Sequence, residues 1–175
     1  ESNTLTAFEK KNNDKYAKIK ITESLDTSTE YGMQITLTTN LSKKIQFYTR
    51  IKYYENDFYL TEKLDFINKF HQATFDKGQT MDITSYLEAN TSDDSTYANV
   101  NINSNYNLIT WGKLNPEIIS DIVPTIKEIN IETASVELNY YIKAQTTSGQ
   151  ETYHVKEFYR ERYSGNRIYL LAFNR

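Results

Sequence analysis

From Ala134 to Ala144 the chain alternates apolar and polar residues with a period of two, and two further strand-length runs follow it across short turns, an order that few folds can satisfy. Ala134, Val136, Leu138, Tyr140, Ile142 and Ala144 form the apolar side of the first run. Thr146 to Gln150 supplies a turn around Gly149, Tyr153 to Tyr163 runs back, and Ser164-Gly165-Asn166 leads into Ile168 to Phe173. Successive side chains on a strand point to opposite faces, so such runs read as an antiparallel meander with one dry and one wet side.

The same period recurs upstream. Tyr16 to Ile21 sets Ile19 and Ile21 against Lys18 and Lys20, and Gly32 to Thr39 sets Met33, Ile35 and Leu37 against Gln34, Thr36 and Thr38. Ile45 to Tyr54 alternates up to Glu55-Asn56-Asp57, which precedes Phe58-Tyr59-Leu60 and reads as a hairpin turn. From Thr61 the spacing becomes helical, with Leu60, Leu64, Ile67, Phe70 or His71, and Phe75 on one stripe and Gly78 as the stop. Met81 to Ala89 suits either a strand or a short helix capped by Asp82, and Asn90 to Ser95 is a loop.

Ala98 to Leu108 alternates against Asn99, Asn101, Asn103, Asn105 and Asn107, which predicts either one long strand with an asparagine face or a turn at Asn103-Ser104-Asn105. Asn115-Pro116-Glu117 reads as a helix start, with Ile118, Ile119, Ile122 and Val123 as its buried stripe as far as Pro124.

The fold class that follows is α+β and β-rich: antiparallel sheet with two main helices, the second followed by a three-stranded meander. A polar lead-in or tether covers 1–14, with a short helix from Thr4 as its alternative, and one β-rich domain covers 15–175, with two subdomains, 15–95 and 96–175, as the alternative. Over residues 115–175 a helix followed by three long antiparallel strands resembles, in element order, the sheet of cystatin and nuclear-transport-factor-2 type domains. That resemblance implies a fold and no site residue.

Composition removes several functional classes. The 175 residues include no cysteine, which excludes disulfides, thiolate catalysis and cysteine-ligated metal. The five glycines are too far apart to build a phosphate-cradling loop. A net charge of −3 gives no global attraction for nucleic acid. The two histidines, His71 and His154, read as surface or rim residues, and Glu157 and Glu161, four residues apart on one strand face, read as solvated carboxylates. Their separation of about 13 Å does not suit a glycosidase pair. No cofactor or metal is expected.

Fifteen tyrosines supply the positive signal. Tyr48, Tyr53, Tyr54 and Tyr59 crowd one segment, while Tyr141, Tyr159 and Tyr163 accompany Arg160 and Arg162 on the meander. Neighbours of opposite parity cannot all face a core, and tyrosine and arginine are enriched where proteins bind one another. Tyrosine ladders also stabilise sheets by themselves, at about 0.2–1 kcal/mol per pair.

The expectation is a non-catalytic interaction domain of a bacterial surface, secretion-assembly or immunity-type protein, with another protein as partner. A glycan or cell-wall binding module using the same tyrosines with the Asn99 to Asn107 face is an alternative, as is a hydrolase assembled from scattered Asp, Glu and His. Lys10, Lys11, Lys15, Lys18 and Lys20 offer a peripheral membrane contact. The start at Glu1 and the AT-rich residue bias point to an exported protein of a low-GC bacterium, secreted or anchored at the cell surface through a segment outside this sequence.

Overall fold

In the computed structural model, which describes residues 2–11, 14–88 and 96–175, the C-terminal alternation folds as its period requires. Strand β7 (Thr133–Thr146), β8 (Gly149–Ser164) and β9 (Arg167–Asn174) form an antiparallel meander. Gly149 turns the first hairpin with φ +120°, and Asn166 (φ +62°) with Gly165 (φ +59°) turns the second. A bulge between Arg160 and Glu161 shifts the β8–β9 register, so that Tyr159 faces Phe173 and Glu161 faces Leu170. Two short strands, β5 (Glu117–Ile118) and β6 (Thr125–Ile129), both pair with β7 and complete a five-stranded sheet.

The chain divides into two compact units, Glu1–Asn56 and Asp57–Arg175. The first holds β1 (Glu9–Lys11) paired with β2 (Asp14–Tyr16), and β3 (Glu30–Thr38) paired with β4 (Lys44–Lys52), both antiparallel. In the second hairpin Tyr31, Met33, Ile35 and Leu37 share a face with Ile51, Thr49, Phe47 and Ile45, and the opposite face is polar. The strand expected over Tyr16 to Ile21 ends at Tyr16, because alternation cannot supply a pairing partner and β1 is only three residues long. The hairpin turn lies at Thr39–Lys43, where Ser42 has φ +59°, and not at Glu55 to Asp57. Asp57 serves instead as a helix entry, its Oδ1 accepting from the Tyr59 amide.

In the second unit helix α1 (Leu60–Phe75) lays Phe66, Ile67, Phe70, Ala73 and Thr74 on the inner face of the sheet. Gly78, at φ +81°, donates to the Ala73 carbonyl and closes its C-terminus. Phe70 packs edge-on to Tyr159 at 5.8 Å and tilted on Phe173 at 5.3 Å, so helix and sheet interlock through rings. Met81 to Leu87 holds one turn of 3₁₀ helix, Thr84–Tyr86, whose entry Asp82 fixes by accepting from the Thr84 amide and hydroxyl. The loop expected over Asn90 to Ser95 lies outside the described residues.

Two expectations are corrected. The asparagine-rich alternation is not one long strand but its alternative, a turn, with the Ser104 amide donating to the Asn101 carbonyl at 2.9 Å; Asn101 makes a single bridge with Asn174, and Asn105 caps helix α2 (Tyr106–Ile109) by accepting from the Leu108 amide. Asn101 Oδ1 takes the Asn103 amide, so these side chains compete for the backbone that a strand would need. The alternation still predicts burial, since Val100, Ile102, Ser104 and Leu108 are inside. The helix expected after Asn115 is absent, and α2 stands as the second helix. Asn115 sits at φ +42°, outside the extended range of an N-cap, and only seven residues separate the two prolines. The backbone there pairs with β7, Ile119 donating to the Tyr141 carbonyl, while Val123 is 63% exposed.

The architecture is therefore α+β and β-rich, with antiparallel sheets and, among the described residues, two helices. Among the described residues no helix is long and apolar enough to cross a membrane.

Candidate functional site

The inner face of β8 carries Val155, Glu157, Tyr159 and Glu161, and both glutamates are fully buried. The expectation of a solvated strand face is corrected: their parity is that of Val155 and Tyr159, which face α1. His71, expected at the surface, points from α1 into the same space and is buried. Its Nδ1 donates to Glu157 Oε2 at 2.7 Å, the Tyr159 hydroxyl donates to the same oxygen at 2.8 Å, and the Tyr140 hydroxyl donates to Oε1 at 2.7 Å. Arg175 adds positive charge to this cluster. Its guanidinium lies 3.5 Å from the Trp111 ring centroid and donates to the carbonyls of Ile109 at 2.9 Å and Leu108 at 2.8 Å, at the C-terminal end of α2.

The electrostatics follow from these contacts. Burial works to raise the Glu157 pKa, but the hydrogen bond and charge of His71, the charge of Arg175 and the Tyr140 hydroxyl outweigh it and hold the carboxyl below its ordinary value. Glu157 is thus a carboxylate, which assigns the shared proton to His71 Nδ1. Burial beside this carboxylate pushes both tyrosine hydroxyls well up, which keeps them donors.

Glu161, on the same face, has neither oxygen hydrogen-bonded, and burial lifts its pKa to about 8, partly offset by Lys63. Lys63 is itself pulled down by burial and gives its ammonium to the Asn130 carbonyl at 2.7 Å. Chemically, Glu157 is buried and already accepts from three donors, two on Oε2 and one on Oε1. The cluster locks α1 to the sheet, and its carboxylate is spent on structural partners. No group of three or more histidines and carboxylates among the described residues could hold a metal ion.

The outer face of the same sheet has the opposite character. Tyr141 is 49% exposed and packs on its cross-strand partner His154, with ring centroids 5.1 Å apart. Arg160 donates to Glu128 at 3.1 Å and to Ser135 Oγ at 3.2 Å, while Glu137 lies between Lys127 at 3.4 Å and Lys156 at 3.3 Å. Arg162 and Arg167 both sit over the ring of Tyr169. Tyr141, Arg160 and Arg162 are thus brought onto one wet face, as alternate residues of paired strands must be.

The other tyrosines divide differently. Tyr159 is corrected from surface to core: it is fully buried and holds Glu157. Tyr163 belongs to the inner face and stacks on Tyr59 at the start of α1, at 4.1 Å between centroids. Tyr48, on the polar face of the β3–β4 hairpin, is 73% exposed, while Tyr53 and Tyr54 follow β4 and Lys52 lies over the Tyr54 ring at 5.7 Å. These three belong to the N-terminal unit. Of the N-terminal lysines, Lys10 and Lys11 lie on β1, Lys15 on β2, and Lys18 pairs with Glu9 at 2.8 Å.

Sequence reading missed Arg167 and Tyr169, although the tight turn at Gly165-Asn166 sets a register that places Tyr169 opposite Arg162. It also missed the Glu157 cluster, whose signal was Val155 two residues away on the same face.

Comparison with known proteins finds no family model, no curated protein and no solved structure that matches the chain. What fold and site define is a class: a β-rich α+β chain whose C-terminal unit has a sealed polar core on one side of its sheet and a wet, aromatic and basic face on the other.

Proposed function

We propose that this chain is a non-catalytic protein–protein interaction domain, acting outside the bacterial cytoplasm in a surface or secretion assembly or as an immunity-type protein that blocks its partner, and that it binds through the outer face of the five-stranded sheet. The observation that carries this reading is the exposed Tyr141–His154 pair on the same face as Arg160 and Arg162. A ring held by its neighbour presents area at low entropic cost, and arginine beside tyrosine is the composition of interface hot spots. The test places a photo-crosslinking residue at position 141 in the source cells and fractionates them. The expected result is one dominant protein adduct in an extracytoplasmic fraction that weakens when Arg160 and Arg162 are replaced by serine. Absence of an adduct, or an adduct indifferent to those arginines, would contradict the reading.

A second reading rests on a separate feature. A concavity of about 370 Å³ beside β9 is lined by Asn99, Asn101, Lys156, Phe158 and Asn174, together with Val100 and Arg175. Amides that both donate and accept, next to an aromatic ring, suit the hydroxyls and apolar face of a sugar. Retention on a glycan array that disappears in Phe158→Ala would support it, and no retention would remove it.

A further inference from the structure

On the outer face Arg162 and Arg167 lie over one ring, with their guanidinium carbons 5.2 and 5.0 Å from the centroid of Tyr169. Arg162 is the cross-strand partner of Tyr169, and Arg167 precedes it by two residues on β9, so the three side chains share one face. Arg160 on the same strand is paired with Glu128, and Arg50 in the N-terminal unit with Glu30. Arg162 and Arg167 have no ion-pair or hydrogen-bond partner among the described residues. Stacking against a ring satisfies the flat face of a guanidinium and leaves its in-plane N–H donors open.

The surroundings bear on what those donors take. At outward-facing positions of the sheet stand Lys127, Lys143, Lys156, Arg160, Arg162 and Arg167, against Glu117, Glu128 and Glu137. A chain of net charge −3 therefore carries a cationic surplus on this one face, which selects an anionic partner. The carboxylates interspersed among the cations would repel a uniform polyanion such as nucleic acid or polyphosphate. A protein segment, which carries both signs, fits the pattern.

We propose that Arg162 and Arg167, steadied by Tyr169, form a fork that grips a side-chain carboxylate in an acidic segment of the partner protein. The proposal rests on the reading of the outer face as the binding surface and adds the partner's chemistry. Guanidinium donors match a carboxylate in a planar, paired geometry, and the cation–π contacts with Tyr169 settle part of the ordering before binding.

The test pans a random dodecapeptide phage library against the immobilised chain and measures a synthetic peptide from the selected pool by fluorescence anisotropy. Asp and Glu should be enriched several-fold over the input. Arg162→Ser with Arg167→Ser should weaken the peptide by about 10-fold or more. Arg162→Lys with Arg167→Lys keeps the charge yet should recover only part of that loss, because lysine lacks the planar fork. Both arginines are exposed, so thermal unfolding of each variant should match the parent chain and exclude misfolding as the cause. A selected pool without acidic enrichment, whose binding is lost in Tyr141→Ala but not in the arginine variants, would overturn the fork and leave the face standing. Heparin or polyphosphate binding more tightly than the peptide at equal charge concentration would overturn it in favour of a polyanion surface. Failure to select any peptide would overturn fork and face together.

Discussion

Replacing Glu157 by leucine is expected to remove about 3–5 kcal/mol from the unfolding free energy of the C-terminal unit, enough to unfold a domain of ordinary stability. The carboxylate receives donors from His71, Tyr140 and Tyr159 and faces the charge of Arg175, so its removal strands three donors in the core and leaves the Arg175 charge uncompensated. Glu157→Gln retains an acceptor oxygen and should cost less, about 1–3 kcal/mol. The pH dependence has a definite sign. A carboxyl held below its ordinary value of 4.5 contributes stability that is fully present above that value and is lost as pH falls through the lower, folded-state pKa. Urea titrations at pH 7 and below pH 4 check both points: the variants should lie far below the parent chain at pH 7, and the gap should narrow in acid.

Glu161 should behave in the opposite way. Its pKa is raised from 4.5 to about 8, so between those values the folded chain holds a proton that the unfolded chain has released. Stability therefore falls as pH rises through this window, by at most about 1.4 kcal/mol per pH unit, and the cost is complete above pH 8. Glutamine has the size and polarity of the neutral acid. Glu161→Gln should match the parent chain below pH 4.5 and exceed it by a few kcal/mol near pH 9, with Lys63 limiting the gain. Denaturation midpoints that are equal at pH 9 would show that Glu161 ionises in place without penalty.

These two residues also mark how far the sequence can be read. The meander, its turns at Gly149 and Gly165-Asn166, and the helix ending before Gly78 were legible because each rests on local periodicity or on one residue's backbone preference. The β3–β4 pair was legible as strands, but its turn was misplaced because Asp57 looks like a turn residue and acts as a helix entry. The segment Pro116 to Pro124 was misread because its apolar residues fit a helical stripe, while its length and the positive φ of Asn115 favour pairing with β7.

The site was legible by half. Period two separates Tyr140 from Tyr141, and Tyr159 from Arg160, but which set faces inward depends on where α1 packs. Glu157 and Glu161 were read outward on the habit of carboxylates, which are seldom fully buried without partners. The partners came from α1, from β7 and from the chain's last residue, and pairings across 86 residues, as between His71 and Glu157, leave no local trace.

If the sheet turns a buried, structural face inward and, as proposed, a binding face outward, adjacent residues of β7 must differ sharply in what they contribute. Tyr140→Phe and Tyr141→Ala are compared in one experiment that reads both urea unfolding and affinity for the acidic peptide. Tyr140→Phe should cost about 1.5–3 kcal/mol of stability, for a bond to a charged group, and leave affinity unchanged wherever the chain is folded. Tyr141→Ala should leave unfolding within about 0.5 kcal/mol of the parent chain and lower affinity several-fold. Stability loss at 141 with affinity loss at 140 would contradict that division of the two faces.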